Sequence, residues 1–327
     1  MRVQFYQRKP CGAFSLERVF HAVRDALPSD IDSEIRLCRF VSRRFLRRLL
    51  NLMEAPLHQR DVNHIVGDVH YLAMVLSKRK TILTVHDCGG LRLKKGLNRL
   101  FLLWFLFWMP VRRVAAVTVI SEFTRDELLH YTGCNPNIVS VIPDPVPQGF
   151  TPFPKPFNSS SPIILQVGTG EHNKNVCRVA ESLRGVPCRL DIVGRLSERQ
   201  RQVLSRNEVS YTEQWDLSDQ EMIQKYRECD LLVFVSTYEG FGMPILEANA
   251  TGRPVVTSNL APMPEVAGSA ACLVDPFDTS SIREGILRVI GDADYRDCLV
   301  VRGFENAKRF QATEIAAQYA ALYRKLK

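Results

Sequence analysis

Two doubly wound α/β domains, each a parallel sheet flanked by helices, are the fold this 327-residue sequence predicts. Three observations carry that expectation. Short apolar runs alternate with helical stretches of about ten residues, the pattern of βαβ units. The alternation stops at the proline- and serine-rich segment PVPQGFTPFPKPFNSSSP (145–162) and then begins again. Ser218 with Glu221 forms a capping box, which fixes one helix start within the second series.

In the first domain, taken as residues 1–150, VQFYQ (3–7) opens as a strand. A helix over 16–27 follows a loop at Gly12. Strands come next at 64–66, 81–86 and 116–121, then a helix at 122–131 and a strand at 138–142. The second domain, residues 151–310, repeats the scheme with strands at 163–167, 189–193, 231–236 and 255–258. Its helices are expected at 176–183, 218–228 and 244–250. Pro244 suits the first position of the last one, where a missing N–H is not felt. Residues 311–327 read as a helix that outlasts the second sheet and is placed to cross back to the first domain. Sheets of this kind bind ligands at the carboxyl ends of their strands.

Hydrophobic residues make up 46% of the chain and charged residues 24%, the balance of a folded soluble protein. The charge is unevenly spread. Residues 1–150 carry 22 Lys+Arg against 13 Asp+Glu, and residues 151–327 carry 21 against 22. A basic first half points to an anionic partner there, a membrane surface or nucleic acid. No aromatic-and-basic recognition motif accompanies the charge, so no nucleic acid is expected. Nine cysteines are scattered without a CxxC pair, which argues against zinc. Met1 leads straight into VQFY rather than a signal peptide, and a reducing, cytoplasmic compartment is expected. The D-x-D triplets at 30–32 and 292–294 lie in polar segments away from strand ends. No metal and no cofactor are expected.

The stretch STYEGFGMPILE (236–247) leaves an apolar run and at once places two glycines, a proline and two carboxylates. The N–H groups of Phe241, Gly242 and Met243 fall at the start of a helix, which makes an anion site suited to a diphosphate. Glu239 and Glu247 flank that site with seven residues between them. A carboxylate beside a phosphate repels it unless it accepts hydrogen bonds from hydroxyls of the same ligand. A nucleotide-diphosphate sugar carries such hydroxyls on its sugar and on its ribose.

With its continuation, STYEGFGMPILEANATGRPVVTSNLAPMPEVAGSAACLVDP, the stretch resembles the signature region of the retaining glycosyltransferases of family 4. These have the GT-B fold, two Rossmann-like domains facing across a cleft. The resemblance implies that Glu239 contacts the transferred sugar and Glu247 the ribose, with Gly240 and Pro244 completing the turn. VGTGEHNKN (167–175) resembles the loop after the donor domain's first strand. Lys174 then takes the diphosphate, beside Gly168, Thr169 and Asn173. An arginine common a few residues before this lysine is absent, and Arg195 of IVGR is the candidate second cation. TVHDCGG (84–90), VTVISEFTRDEL (117–128) and VIPDPV (141–146) resemble the acceptor-side domain. His86 matches the histidine near the transferred sugar, and Asp87 is a second catalytic candidate. His70 of GDVHY is a cleft-lining candidate, and Gly12 stands where the family has its first glycine-rich loop.

The implied activity is transfer of a sugar from a nucleotide-diphosphate sugar to a hydroxyl of a glycan or lipid-linked acceptor. Retention, no metal, and a place in polysaccharide, lipopolysaccharide or glycolipid biosynthesis go with it. A sugar-nucleotide epimerase of the same fold and a degenerate glycan-binding protein are the alternatives. Segments 39–53 and 91–113, both basic and apolar, are the expected peripheral contacts with the inner face of an anionic membrane. A buried core helix with a solvated basic face is the competing reading of 39–53.

Overall fold

The computed structural model describes residues 1–9, 15–42, 45–168 and 172–326. Gly12 and Thr169 lie outside the described residues, as do Arg43 and Arg44. Two compact units make up the chain: Met1–Pro147 together with Gln311–Lys327, and Gln148–Phe310.

The first unit is built on six parallel strands, β1 (Arg2–Gln7), β2 (Asp32–Leu37), β3 (Val62–Ile65), β4 (Thr81–Val85), β5 (Ala116–Val119) and β6 (Val139–Val141). They lie in the order β2-β1-β3-β4-β5-β6. Every residue of β3, β4 and β5 is buried, as a strand covered by helices on both faces requires. Val62, Ile65, Leu83, Val117 and Val119 show why: apolar, mostly β-branched residues fill these strands, and the polar members, Asn63, His64, Thr81, Thr84 and Thr118, are buried among them.

The second unit repeats the plan with β7 (Ile163–Val167), β8 (Arg189–Val193), β9 (Tyr211–Gln214), β10 (Leu231–Phe234), β11 (Val255–Ser258) and β12 (Cys272–Val274). Their order is β12-β11-β10-β7-β8-β9, all parallel. The doubly wound α/β fold expected from the alternation is therefore met in both units. Three strands escaped it, β2, β9 and β12, and all three are sheet edges. An edge is half solvated, so DSEIRL and YTEQ never needed an apolar run, and CLV is only three residues long. Five expected strands run too far: 64–66, 81–86, 116–121, 138–142 and 231–236 stop at Ile65, Val85, Val119, Val141 and Phe234. His86, Ser121 and Ser236 belong to the loops that follow, where ligand chemistry is placed. The capping box at Ser218 forms with both of its hydrogen bonds.

The C-terminal helix, Ala312–Lys325, belongs to the first unit. It is tied in through polar groups rather than apolar ones alone. The Tyr323 hydroxyl lies 2.8 Å from His64 Nδ1, His64 Nε2 lies 2.7 Å from Thr84 Oγ1, and Thr84 Oγ1 lies 2.6 Å from Thr118 Oγ1. One hydrogen-bonded chain thus joins the helix to β3, β4 and β5, and Phe20 closes over His64 edge-on at 5.3 Å. Inside a low-dielectric core such a chain stabilises only while every member is satisfied.

Burial holds the His64 imidazole down at about 3, with a smaller push from His86. An unfolded histidine titrates near ~6.5. As pH falls below that value the unfolded chain takes up a proton that the folded core refuses, so stability is lost from about 6.5 downward. Burial shifts His70 and His86 the same way. Asp144 opposes them: burial raises it to about 7, so its contribution is lost as pH rises from about 4 towards 7. Three histidines outweigh one carboxyl. The urea midpoint should therefore fall between about pH 7 and about pH 5, and His64→Phe should make that fall shallower by roughly one proton's worth of linkage. An unaltered pH slope in the variant would contradict this account of the core.

Candidate active site

In the second unit the strand order reverses between β7 and β10: β8 and β9 lie on one side, β11 and β12 on the other. Loops leaving a sheet on either side of such a point diverge and open a crevice at the strands' carboxyl ends. The loop after β7 carries Asn173 and Lys174, and the loop after β10 carries Tyr238 and Glu239. Thr237 N–H donates to Asn173 O at 2.8 Å, and Asn173 Nδ2 donates to Tyr238 O at 2.9 Å. Gln166 Nε2 holds the Lys174 carbonyl at 2.9 Å. Asn175, left-handed at φ 60, donates to Val235 O and Pro276 O at 3.0 and 2.7 Å. Two loops that sequence alone keeps far apart are thus fastened together.

The product of that fastening is an ion pair. Lys174 Nζ donates to Glu239 Oε1 at 2.7 Å, and the same ammonium lies 5.2 Å from the centre of the Phe234 ring. Gly168 makes room for it: its φ is +84°, and a Cβ there would come within 2.8 Å of Lys174 Cε.

Beyond Glu239, the helix Met243–Thr251 begins at Gly242, whose φ is 126° and which supplies no side-chain cap. The helix starts one residue before the position expected, so Pro244 is its second residue. Pro244 has no N–H and Ile245 N–H already donates to Gly242 O at 3.0 Å, so the open N–H groups at this start are those of Met243 and the turn before it, the arrangement that receives anions. Phe241 is buried edge-on against Phe310 at 5.8 Å, which fixes the turn containing Gly240. Glu247 follows one turn on, and its Oε2 accepts from the Tyr226 hydroxyl at 2.6 Å. Burial, reinforced by the charge of Glu247, lifts the Tyr226 phenol well above its usual range, so it stays a donor. Arg195, in the loop after β8, lies 5.1 Å from the Trp215 ring.

The first unit has its own switch point, between β1 and β3, bridged by Arg8 Nη1 to Asp68 Oδ2 at 2.7 Å. His86 is the first residue past β4 and is buried; its Nε2 has no hydrogen-bond partner among the described residues. The nearest carboxyl is Asp144 Oδ1, at 3.9 Å. Asp87 has a local task, since its Oδ1 accepts from Gly89 N–H at 2.8 Å at the start of a short helix. His70 donates through Nδ1 to Leu106 O at 2.7 Å and stands edge-on to Phe107. Two residues of these sites were not marked in the sequence. Tyr226 is a lone tyrosine in a polar helix, and Asp144 hides in VIPDPV; neither carries a local signal.

Two family models divide the chain almost as the two units do. Glycosyl transferases group 1 matches residues 148–305, and Glycosyltransferase Family 4 matches residues 3–148. The chain belongs to the group 1 glycosyltransferases. The O-antigen chain mannosyltransferase B of Escherichia coli is 38% identical over 108 residues, covering 33% of this chain and 28% of the relative. This glycosyltransferase therefore spans less than a third of that curated relative in the match. In three dimensions it is similar to HepE from Anabaena, solved with UDP and glucose, at 16% identity and a TM-score of 0.78 over 98% and 99% of the two chains. WaaG, a glycosyltransferase involved in lipopolysaccharide biosynthesis, gives 16% identity and a TM-score of 0.71 over 99% of each. Those likenesses fix the two-domain, Rossmann-like α/β fold.

Two substitutions test how the glycosyltransferase's second unit holds these groups. Gly168→Ala should cost about 1–2 kcal/mol, from the left-handed backbone and the collision with Lys174. Tyr226→Phe should cost about 1–2 kcal/mol by withdrawing a donor from Glu247. Urea denaturation measures both, and a neutral result for either would mean that contact is not formed.

Proposed function

We propose that this chain transfers a sugar from a nucleotide-diphosphate sugar to a hydroxyl of a glycan or lipid-linked acceptor. The observation that carries the proposal is Lys174 on Glu239 beside an uncapped helix start at a topological switch point. A cation, an anion and a row of free N–H groups then meet three parts of one ligand. The diphosphate takes the Lys174 ammonium and the N–H groups of Phe241, Gly242 and Met243. Glu239, released from Lys174, accepts from hydroxyls of the transferred sugar. Glu247, steadied by Tyr226, accepts from the ribose. Gly168 and Asn173 shape the diphosphate loop, and the resemblance implies a sugar-contacting role for His86 of the first unit. The name of the E. coli relative and the UDP and glucose in the Anabaena structure support a nucleotide-sugar donor and a polysaccharide acceptor.

In the reaction the bond from the anomeric carbon to the leaving phosphate oxygen breaks. The acceptor oxygen bonds to that carbon on the same face, and its proton passes to the departing phosphate. Configuration is retained. The charge that grows on the phosphate is met by Lys174 and the helix N–H groups, the kind of fixed electrostatics worth a few kcal/mol per donor, so no metal is required. Glu239→Gln should lower turnover by roughly 10²-fold or more with an unchanged melting temperature. Proton NMR of the product should show the donor's anomeric configuration, and nucleotide release should require the acceptor. Release at the same rate without an acceptor would favour an epimerase or hydrolase instead.

The acceptor side is read as resting on the inner face of an anionic membrane. The support is an inverted helix, Phe45–Glu54. Its inward face carries Asn51, bonded to Phe40 and Tyr71, and Arg48 over the Tyr71 and Phe105 rings. Its apolar positions 46, 49, 50 and 53 point out instead, with Leu46 71% and Met53 68% exposed. That sets aside the buried core helix. Leu97, Leu100, Phe101, Trp104 and Trp108 are exposed as well, among Lys94, Lys95, Arg99 and Arg113. No helix of the described residues is long and apolar enough to cross a membrane. Exposed leucines and tryptophans ringed by basic residues suit an interfacial segment. The chain should sediment with phosphatidylglycerol vesicles at low salt and release at high salt. Equal recovery in the supernatant with anionic and neutral vesicles would overturn the membrane contact and leave a soluble acceptor.

A further inference from the structure

We infer that Asp144 is a positioning residue for His86: its carboxyl fixes which imidazole nitrogen carries the proton. It thereby decides whether the opposite nitrogen, Nδ1, donates to a sugar hydroxyl or accepts from it. The inference rests on the reading of His86 as a group that meets the transferred sugar.

Both residues belong to the first unit, His86 following β4 and Asp144 following β6, the strands on either side of β5. Both are buried, at 8% and 5% exposure. His86 Nε2 is buried without a hydrogen-bond partner among the described residues, and Asp144 Oδ1 lies 3.9 Å from it. A buried imidazole nitrogen without a hydrogen bond is costly, and Asp144 Oδ1, at 3.9 Å, is the acceptor or donor within reach of a side-chain rotation. Phe20 stands edge-on to the His86 ring at 5.8 Å and limits which way it turns. Nε2 is thereby committed to Asp144, and Nδ1 is the nitrogen left for a substrate.

The charged and titratable groups around the pair are few. Asp68, His70 and Arg8 face His86, and Asp68 and Arg8 are themselves paired at 2.7 Å. His64 lies behind His86, and Tyr319 of the C-terminal helix faces Asp144. Burial raises Asp144 to about 7 and lowers His86 to about 4. The imidazole therefore stays neutral while burial leaves Asp144 to give up its proton near neutrality. Below that point the Asp144 O–H donates to Nε2 and Nδ1 carries an N–H. Above it one proton has left to solvent, the other sits on Nε2 and is donated to the carboxylate, and Nδ1 offers a lone pair. A sugar hydroxyl meets opposite partners in the two states.

Nitrogen-15 NMR of the histidine side chains in the full chain reads the tautomer directly, with His86 assigned by its loss in His86→Gln. In the wild type, Nδ1 of His86 should change from N–H to bare as pH rises from about 5 to about 9, with a midpoint near the titration of Asp144. Asp144→Asn should hold one tautomer throughout and remove the matching limb from the pH profile of kcat/KM. A wild-type His86 whose tautomer never changes would overturn the inference without any variant. So would an Asp144→Asn chain that titrates like the wild type. The NMR result decides this inference whether or not transfer is found, and turnover of Glu239→Gln decides the transfer reading separately.

Discussion

Lys174 and Glu239 come from the ends of two neighbouring strands, and their 2.7 Å contact sets the demands on the loops around them. An exposed pair of this kind contributes little, because water screens it and two long side chains must be held still. Here both side chains are mostly buried, at 22% and 15% exposure, so the attraction is felt more strongly and so is the loss of water. Holding them requires rigid loops. Asn173, Gln166 and Asn175 supply that rigidity by binding backbone carbonyls, and Gly168 supplies the space. A diphosphate is a better partner for Lys174 than a single carboxylate, and sugar hydroxyls are ready partners for Glu239. The resting pair is thus a site whose two halves wait for two parts of one molecule.

The first unit solves a different problem with the same chemistry. Its sheet interior holds His64, Thr84 and Thr118, polar residues in strands that are buried on both faces. Leaving them unpaired would be costly, and the C-terminal helix returns to satisfy them through Tyr323. That return also brings Tyr319 beside Thr84, Thr118 and Asp144. The segment that completes the core therefore also shapes the surroundings of His86.

The sequence made the interior of each sheet legible, because β4, β5, β10 and β11 are buried runs dominated by apolar and β-branched residues. Edges such as β2 and β9 were hidden, since a half-solvated strand is free to read as a loop. The same split runs through the site. Lys174, Glu239 and Glu247 stand in local motifs whose spacing is itself the signal. Tyr226 reaches Glu247 from 21 residues away and Asp144 faces His86 across the sheet, contacts that only the folded chain creates. Periodicity also cannot say which face of a helix looks inward. On Phe45–Glu54 the apolar face looks outward, and only the fold reveals it.

A double-mutant cycle on nucleoside diphosphate binding, run by calorimetry at one fixed salt, tests the central claim most directly. If Glu239 occupies Lys174 only until a diphosphate arrives, Glu239→Gln should bind the nucleoside diphosphate as tightly as the wild type or more tightly. Lys174→Ala should lose roughly 10-fold or more, and the double variant should match Lys174→Ala alone. Equal losses in Glu239→Gln and Lys174→Ala would contradict the account, because the carboxylate would then be holding the diphosphate site together rather than yielding it.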